Sequence, residues 1–105
     1  MNNNQLTKKE LTDIAVLSRS YINHKRVLDE AERGIFAYKP HRLEASKRMV
    51  EHIEAVTESL PEMDRIIIEN VVLKGKTGRW YDLYFSAPTY YRIRKRAFKT
   101  FLNNL

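Results

Sequence analysis

Apolar residues recur at intervals of three and four along most of the chain, and the runs are closed by glycine or proline. Such spacing puts them on one face of an α-helix, whose turn holds about 3.6 residues. Thr7, followed three residues later by Glu10, reads as a capping box, in which hydroxyl and carboxylate each satisfy an unpaired backbone donor. A first helix is expected from there. Its stripe is Leu11, Ile14, Leu17 or Ser18, Tyr21, Leu28 and Ala31, with Lys25 interrupting it and Gly34 ending it. Ile35 to Lys39 forms a short connection, and Pro40 suits the first turn of a second helix because its missing donor is not needed there. Leu43, Met49 or Val50, Ile53, Val56 and Leu60 line that helix. Two amphipathic helices with so short a link predict an antiparallel hairpin.

Pro61 closes the second helix and is expected in the first turn of a third, where Met63, Ile66, Ile67, Val71 and Val72 repeat at three and four. Gly75 supplies the stop, with Lys74 near the negative end of the helix dipole. Gly78 to Phe85 reads as one or two helical turns or as an aromatic strand; helix is favoured because no second strand exists to pair with it. Ser86 is the expected N-cap of the last helix and Pro88 lies in its first turn. Tyr90, Ile93, Ala97, Phe101 and Leu105 make its stripe, thickened by Phe98 and Leu102. The expectation is an all-α chain of about five helices, a hairpin over residues 1–59 and a second unit over 60–105.

With 105 residues, 43% of them hydrophobic, and only three Gly and three Pro, the chain belongs with folding domains rather than disordered segments. The absence of Cys removes disulfides, thiolate metal sites and Cys nucleophiles, and fits a cytoplasmic protein. MNNNQLTKK has no apolar leader region, and the run Ile66 to Ile68 is broken at Glu69, far short of the roughly 20 residues that span a bilayer. No membrane partner is expected.

Charge and aromatic content both shift near Lys74. Eight of the eleven aromatic residues lie between Thr77 and Leu105, and no acid follows Asp82. From Lys74 onward there are eight basic residues and one acid, which leaves −1 for Met1–Leu73 out of the overall +6. A field of that kind draws a polyanion, and nucleic acid is the natural one. Arg92, Lys95, Arg96 and Lys99 stand at i, i+3, i+4 and i+7, opposite the apolar stripe.

Helix, glycine stop, short helix, Ser-led turn and basic helix is the order of a helix-turn-helix with its supporting helix in front. There the last helix packs one face on the other two while its N-terminal residues enter a major groove about 12 Å wide. On this reading Ala87, Thr89, Tyr91, Arg92 and Lys95 reach base edges, Arg92 being best suited to the paired acceptors of guanine. Lys74, Lys76, Arg79, Ser86, Arg94, Arg96 and Lys99 contact phosphate.

LPEMDRIIIENVVLKG followed by WYDLYFSAPTYYRIRKRAFKTFL, from Leu60 to Leu102, resembles the DNA-binding region of the ArpU/RinA group of phage and prophage transcriptional regulators, itself similar to region four of sigma factors. Leu60-Pro61, the run Ser86-x-x-Thr89-Tyr90-Tyr91-Arg92, and the basic pair before Ala97 with Phe101 four later carry the resemblance. It implies a sequence-specific activator of late phage or prophage genes, with double-stranded DNA and RNA polymerase as partners. Sigma-like modules carry Leu-Gly-x-Ser at the turn, whereas this chain has Leu83-Tyr84-Phe85-Ser86. Either the middle helix is trimmed or the last helix is set at an unusual angle.

Catalysis finds little support. His24, His41 and His52 are far apart and match no metal-binding pattern, so no metal or cofactor is expected. Glu51, His52 and Glu54 read as surface charge on an amphipathic helix. Gly75-Lys76-Thr77 has the end of a phosphate-binding loop, but Asn70 stands where its first glycine belongs. The hairpin reads as a scaffold or as an arm for dimerisation or polymerase contact, since many helix-turn-helix proteins bind half-sites as homodimers. The rival reading is an adaptor whose basic helix docks an acidic protein without touching DNA; RNA is the other polyanion to weigh.

Overall fold

The computed structural model describes residues 5–105, which are helical with no strand. Helix α1 spans Lys8–Glu32, α2 Pro40–Glu58, α3 Glu62–Ile68 and α4 Ala87–Asn103. A π-helical turn, Glu69–Leu73, continues α3, and a 3-10 turn, Trp80–Leu83, precedes α4. The all-α expectation holds, with four helices and a 3-10 turn where about five helices were expected. None of the described helices is long and apolar enough to cross a membrane.

The capping box forms as its sequence requires. Glu10 N donates to Thr7 Oγ1 at 3.0 Å and Thr7 N donates to Glu10 Oε1 at 2.9 Å. Gly34 takes a φ of 70° just beyond α1, and Pro40 occupies the first turn of α2. Pro61 is the N-cap residue of α3 rather than a first-turn residue; its ψ of 153° is extended.

α1 and α2 form the antiparallel hairpin. The Tyr21 hydroxyl donates to Glu54 near the end of α2, while His24 Nδ1 lies 2.8 Å from Ser46 Oγ nearer its start. Burial, then the Glu54 carboxylate, push the Tyr21 hydroxyl far above the ordinary phenol range, so it stays a donor.

The core is one cluster that crosses residue 60. Ile14 and Tyr21 of α1, Val50 and Ile53 of α2, and Ile67 of α3 join Val72, Tyr81, Ile93 and Phe101 in it. Three stripe residues, Leu11, Met63 and Leu105, are exposed. Met63 sits in the first turn of α3, whose buried positions are Asp64, Ile67 and Ile68, and Leu105 lies past the end of α4. Val27, absent from the predicted stripe, is buried in α1.

The π-turn has a local cause. Asn70 Nδ2 donates to Ile66 O at 2.7 Å, occupying the carbonyl that an α-helix would assign to the Asn70 amide. The turn then closes one residue later, with Lys74 N donating to Glu69 O at 3.0 Å. From α1, the Ser18 hydroxyl donates to Val72 O at 2.9 Å and lies 3.2 Å from Val71 O. A serine on the apolar stripe thus satisfies the carbonyls exposed where α3 ends.

Phe101 is completely buried at the centre of this cluster. Phe101→Ala is expected to lower stability by about 3–5 kcal/mol, the usual cost of truncating a buried aromatic residue. An unchanged midpoint in chemical denaturation would refute that placement.

Candidate functional site

α4 has two chemically distinct faces. Tyr90, Ile93, Ala97, Phe98 and Phe101 are buried, while Tyr91, Arg92 and Arg96 are exposed. The 3-10 turn is fixed to the inner face through its rings: Tyr81 stacks on Tyr90 at 3.9 Å between centroids, and Trp80 meets Tyr90 edge-on at 5.5 Å. Aromatic pairs of this geometry contribute beyond their buried area. Burial raises the Tyr90 hydroxyl above the usual phenol range, and the Arg94 guanidinium acts in the opposite direction.

The connection into α4 needs no glycine. Tyr84 has a φ of −121° and Ser86 a φ of −70°, so neither enters the left-handed region that a Leu-Gly-x-Ser turn uses. Ser86 stands at the N-cap position with extended backbone, but its hydroxyl donates to Thr89 Oγ1 at 2.9 Å instead of accepting from the backbone. The first turn of α4 contains no acid. No side chain of the first turn compensates the positive end of the helix dipole.

Three of the seven predicted phosphate-contact residues are held in ion pairs. Arg96 Nε donates to Asp64 Oδ2 at 3.1 Å, and its second nitrogen reaches Oδ1 of the same carboxylate. Asp64 is buried, so this pair ties α4 to α3. Lys99 Nζ donates to both oxygens of Glu10, at 2.9 and 3.1 Å, which ties α4 to the start of α1. Arg79 pairs with Asp82 in its own turn. Among the described residues Arg94 has no carboxylate partner and its buried Nε no acceptor; its guanidinium lies 5.0 Å from the Tyr91 ring and 5.6 Å from that of Phe98.

Lys74, Lys76, Arg92 and Lys95 have no carboxylate partner among the described residues. Arg92 and Lys95 share a shallow depression of about 320 Å³ with Arg96, Lys99 and Thr100 on the outer face of α4. Tyr91, Arg94 and Lys76 line a different groove, toward α1. Ala87 and Thr89 are half-buried at the helix start, away from both. The predicted residues therefore divide between the outer face of α4, a groove beside it, the helix start and, for Lys74 and Arg79, the ends of the preceding loop.

Sequence reasoning missed Asp64, Glu10 and Arg19. Asp64 precedes Ile67, Ile68 and Val71 at i+3, i+4 and i+7, so its place on the buried face of α3 was open to inspection. The local sequence marks Glu10 only as a cap. Its partner lies 89 residues away, and no local pattern carries that contact. Arg19, on α1, reaches the groove beside α4 by tertiary packing alone. Comparison with protein-family models, curated proteins and solved structures finds no match for the chain.

Arg96→Ala strands the buried Asp64 carboxylate, and a loss of about 1–3 kcal/mol is expected, the cost of an unsatisfied buried acceptor. Lys95→Ala, which breaks no pair, should leave the denaturation midpoint unchanged. The Glu10 carboxyl is held below its ordinary range by the Thr7 backbone bond and then by Lys99. Its stabilising contribution is therefore complete above the ordinary carboxylate range and is lost as pH falls through the lowered folded value. Glu10→Gln should flatten that part of the acid melting profile; a profile identical to wild type would show that the pair contributes nothing.

Proposed function

We propose that the chain is a DNA-binding transcriptional regulator that sets the outer face of α4 against a duplex. The observation that carries this reading is that Arg92 and Lys95 on that face have no carboxylate partner among the described residues, unlike Arg96 and Lys99 beside them. The acid-free first turn of α4 supports it, because backbone donors there favour an anion. Lys74 and Lys76 extend the positive field along the preceding loop. In this reading Arg92 reads bases, with Lys95 beside it, and phosphate neutralisation supplies most of the affinity. The resemblance to the ArpU/RinA group extends the proposal to activation of phage or prophage late genes with RNA polymerase as a second partner, in a cytoplasmic setting.

The Asp64 and Glu10 pairs favour a second reading. They hold two of the four cations of the α4 stripe, leaving a weaker positive face than the sequence suggests. Such a face suits an adaptor that docks an acidic protein surface without DNA.

Anisotropy titrations on duplex DNA across a salt series separate the two. If Lys74, Lys76 and Lys95 are the phosphate-neutralising set around a base-reading Arg92, the log-log slope should lie near −3, at about −0.9 per contact. Lys95→Ala should then reduce its magnitude by about 1. Retained polymerase binding with no DNA binding at low salt would select the adaptor. Arg92→Ala is expected to relax preference at one base position, at a cost of about 1–3 kcal/mol; selection and sequencing that returns the wild-type motif would remove Arg92 from base reading.

A further inference from the structure

The groove beside α4 differs in chemistry from its outer face. It lies between α1, the loop from Lys74 to Arg79 and the first half of α4, and has a volume of about 390 Å³, within the range of small-ligand sites, about 300–1,000 Å³. Arg19 comes from α1, Lys76 from the loop and Arg94 from α4, and none of the lining residues is acidic. No carboxylate pairs with any of these three cations among the described residues, although Arg79, Arg96 and Lys99 nearby are all paired. The groove is therefore a concentration of unanswered positive charge from three separate elements.

One side of its uncharged lining is aromatic. Trp80, Tyr81, Tyr90 and Tyr91 contribute, and Tyr91 is half exposed. Arg94 joins the two characters, because its guanidinium packs against the Tyr91 ring while its buried Nε lacks an acceptor among the described residues. Arg94 lines the groove, and its guanidinium is a planar set of donors that matches a phosphate. Gly75 seats the loop on α1: its φ is +63°, and a Cβ there would come within 2.8 Å of Ile22 Cδ1. The Gly75-Lys76-Thr77-Gly78 sequence, which lacks the spacing of a phosphate-binding loop, thus lies at the edge of a cationic aromatic groove.

From this juxtaposition we propose that the groove binds a free nucleoside phosphate, with its phosphate among Arg19, Lys76 and Arg94 and its base against the Trp80 and Tyr91 side. The charge calls for an anion, and the aromatic lining calls for a flat ring on the same ligand. The two demands fall within a volume suited to one nucleotide. The site does not depend on the outer face of α4 contacting DNA, so a nucleotide would act as a ligand in its own right.

Trp80 is the sole tryptophan, so its fluorescence reports on the groove directly. Titration of the full chain with ATP and with GTP should give saturable quenching, confirmed by calorimetry at one ligand per chain. Inorganic phosphate and the unphosphorylated nucleosides should each bind at least tenfold more weakly. Lys76→Ala, on an exposed loop, and Arg94→Lys, which keeps the charge but removes the guanidinium fork, should each weaken binding at least tenfold, whereas the exposed α2 cation variant Lys47→Ala should not. Circular dichroism melts of the variants keep loss of fold distinct from loss of binding. The proposal is overturned if neither nucleotide binds, if inorganic phosphate binds as tightly, if folded Lys76→Ala and Arg94→Lys bind like wild type, or if only single-stranded oligonucleotides bind.

Discussion

A buried carboxylate must find a cation, and in this chain Asp64 finds Arg96 thirty-two residues away. Placing Asp64 on the inner face of α3 would carry a desolvation cost unless α4 packed with Arg96 against it. The pair therefore fixes how α4 is rotated on α3 as well as how closely it approaches. Once Arg96 turns toward Asp64, the buried stripe from Tyr90 to Phe101 faces inward and Arg92 faces out. The same register brings Lys99 within reach of Glu10 on α1. Residues that look like a uniform cationic stripe in the sequence thus divide into fastenings and exposed charges.

That division links the two ends of the chain. α1 touches α4 through Glu10, and it touches the end of α3 through the Ser18 hydroxyl on the Val71 and Val72 carbonyls. Neither contact belongs to the hairpin alone. α1 therefore supports both the helix that bears the exposed cations and the segment that leads into the loop before it. The groove between them results from this arrangement, because α1 supplies one wall and α4 the other.

Much of the helical layout was legible because its causes are local. The capping box at Thr7 and Glu10, the first-turn Pro40 and the stripe of α4 all rest on residues within a few positions of one another. The π-turn was not legible although the Asn70 bond to Ile66 O is local, since an asparagine side chain has several backbone groups in reach and the Ser18 hydroxyl meets the turn only through tertiary packing. Ser86 shows the limit of a local rule: the backbone is that of an N-cap, yet Thr89 takes the hydroxyl. The candidate site was legible in composition and less so in geometry. Its cations are where the sequence puts them, but on α4 which of them are paired is decided by acids 32 and 89 residues distant.

The π-turn also sets the phase of the chain beyond it. Compared with an uninterrupted α-helix it accommodates an additional residue before the chain leaves, and each residue of an α-helix corresponds to about 100° of rotation. The exit toward Gly75 is therefore turned about its axis by roughly a quarter of a revolution or more. Asn70 works in this sense as a spacer, whose amide selects the direction in which Lys74, Lys76 and the aromatic 3-10 turn are delivered. The end of α3 behaves less like a helix that stops than like a joint with its angle already chosen.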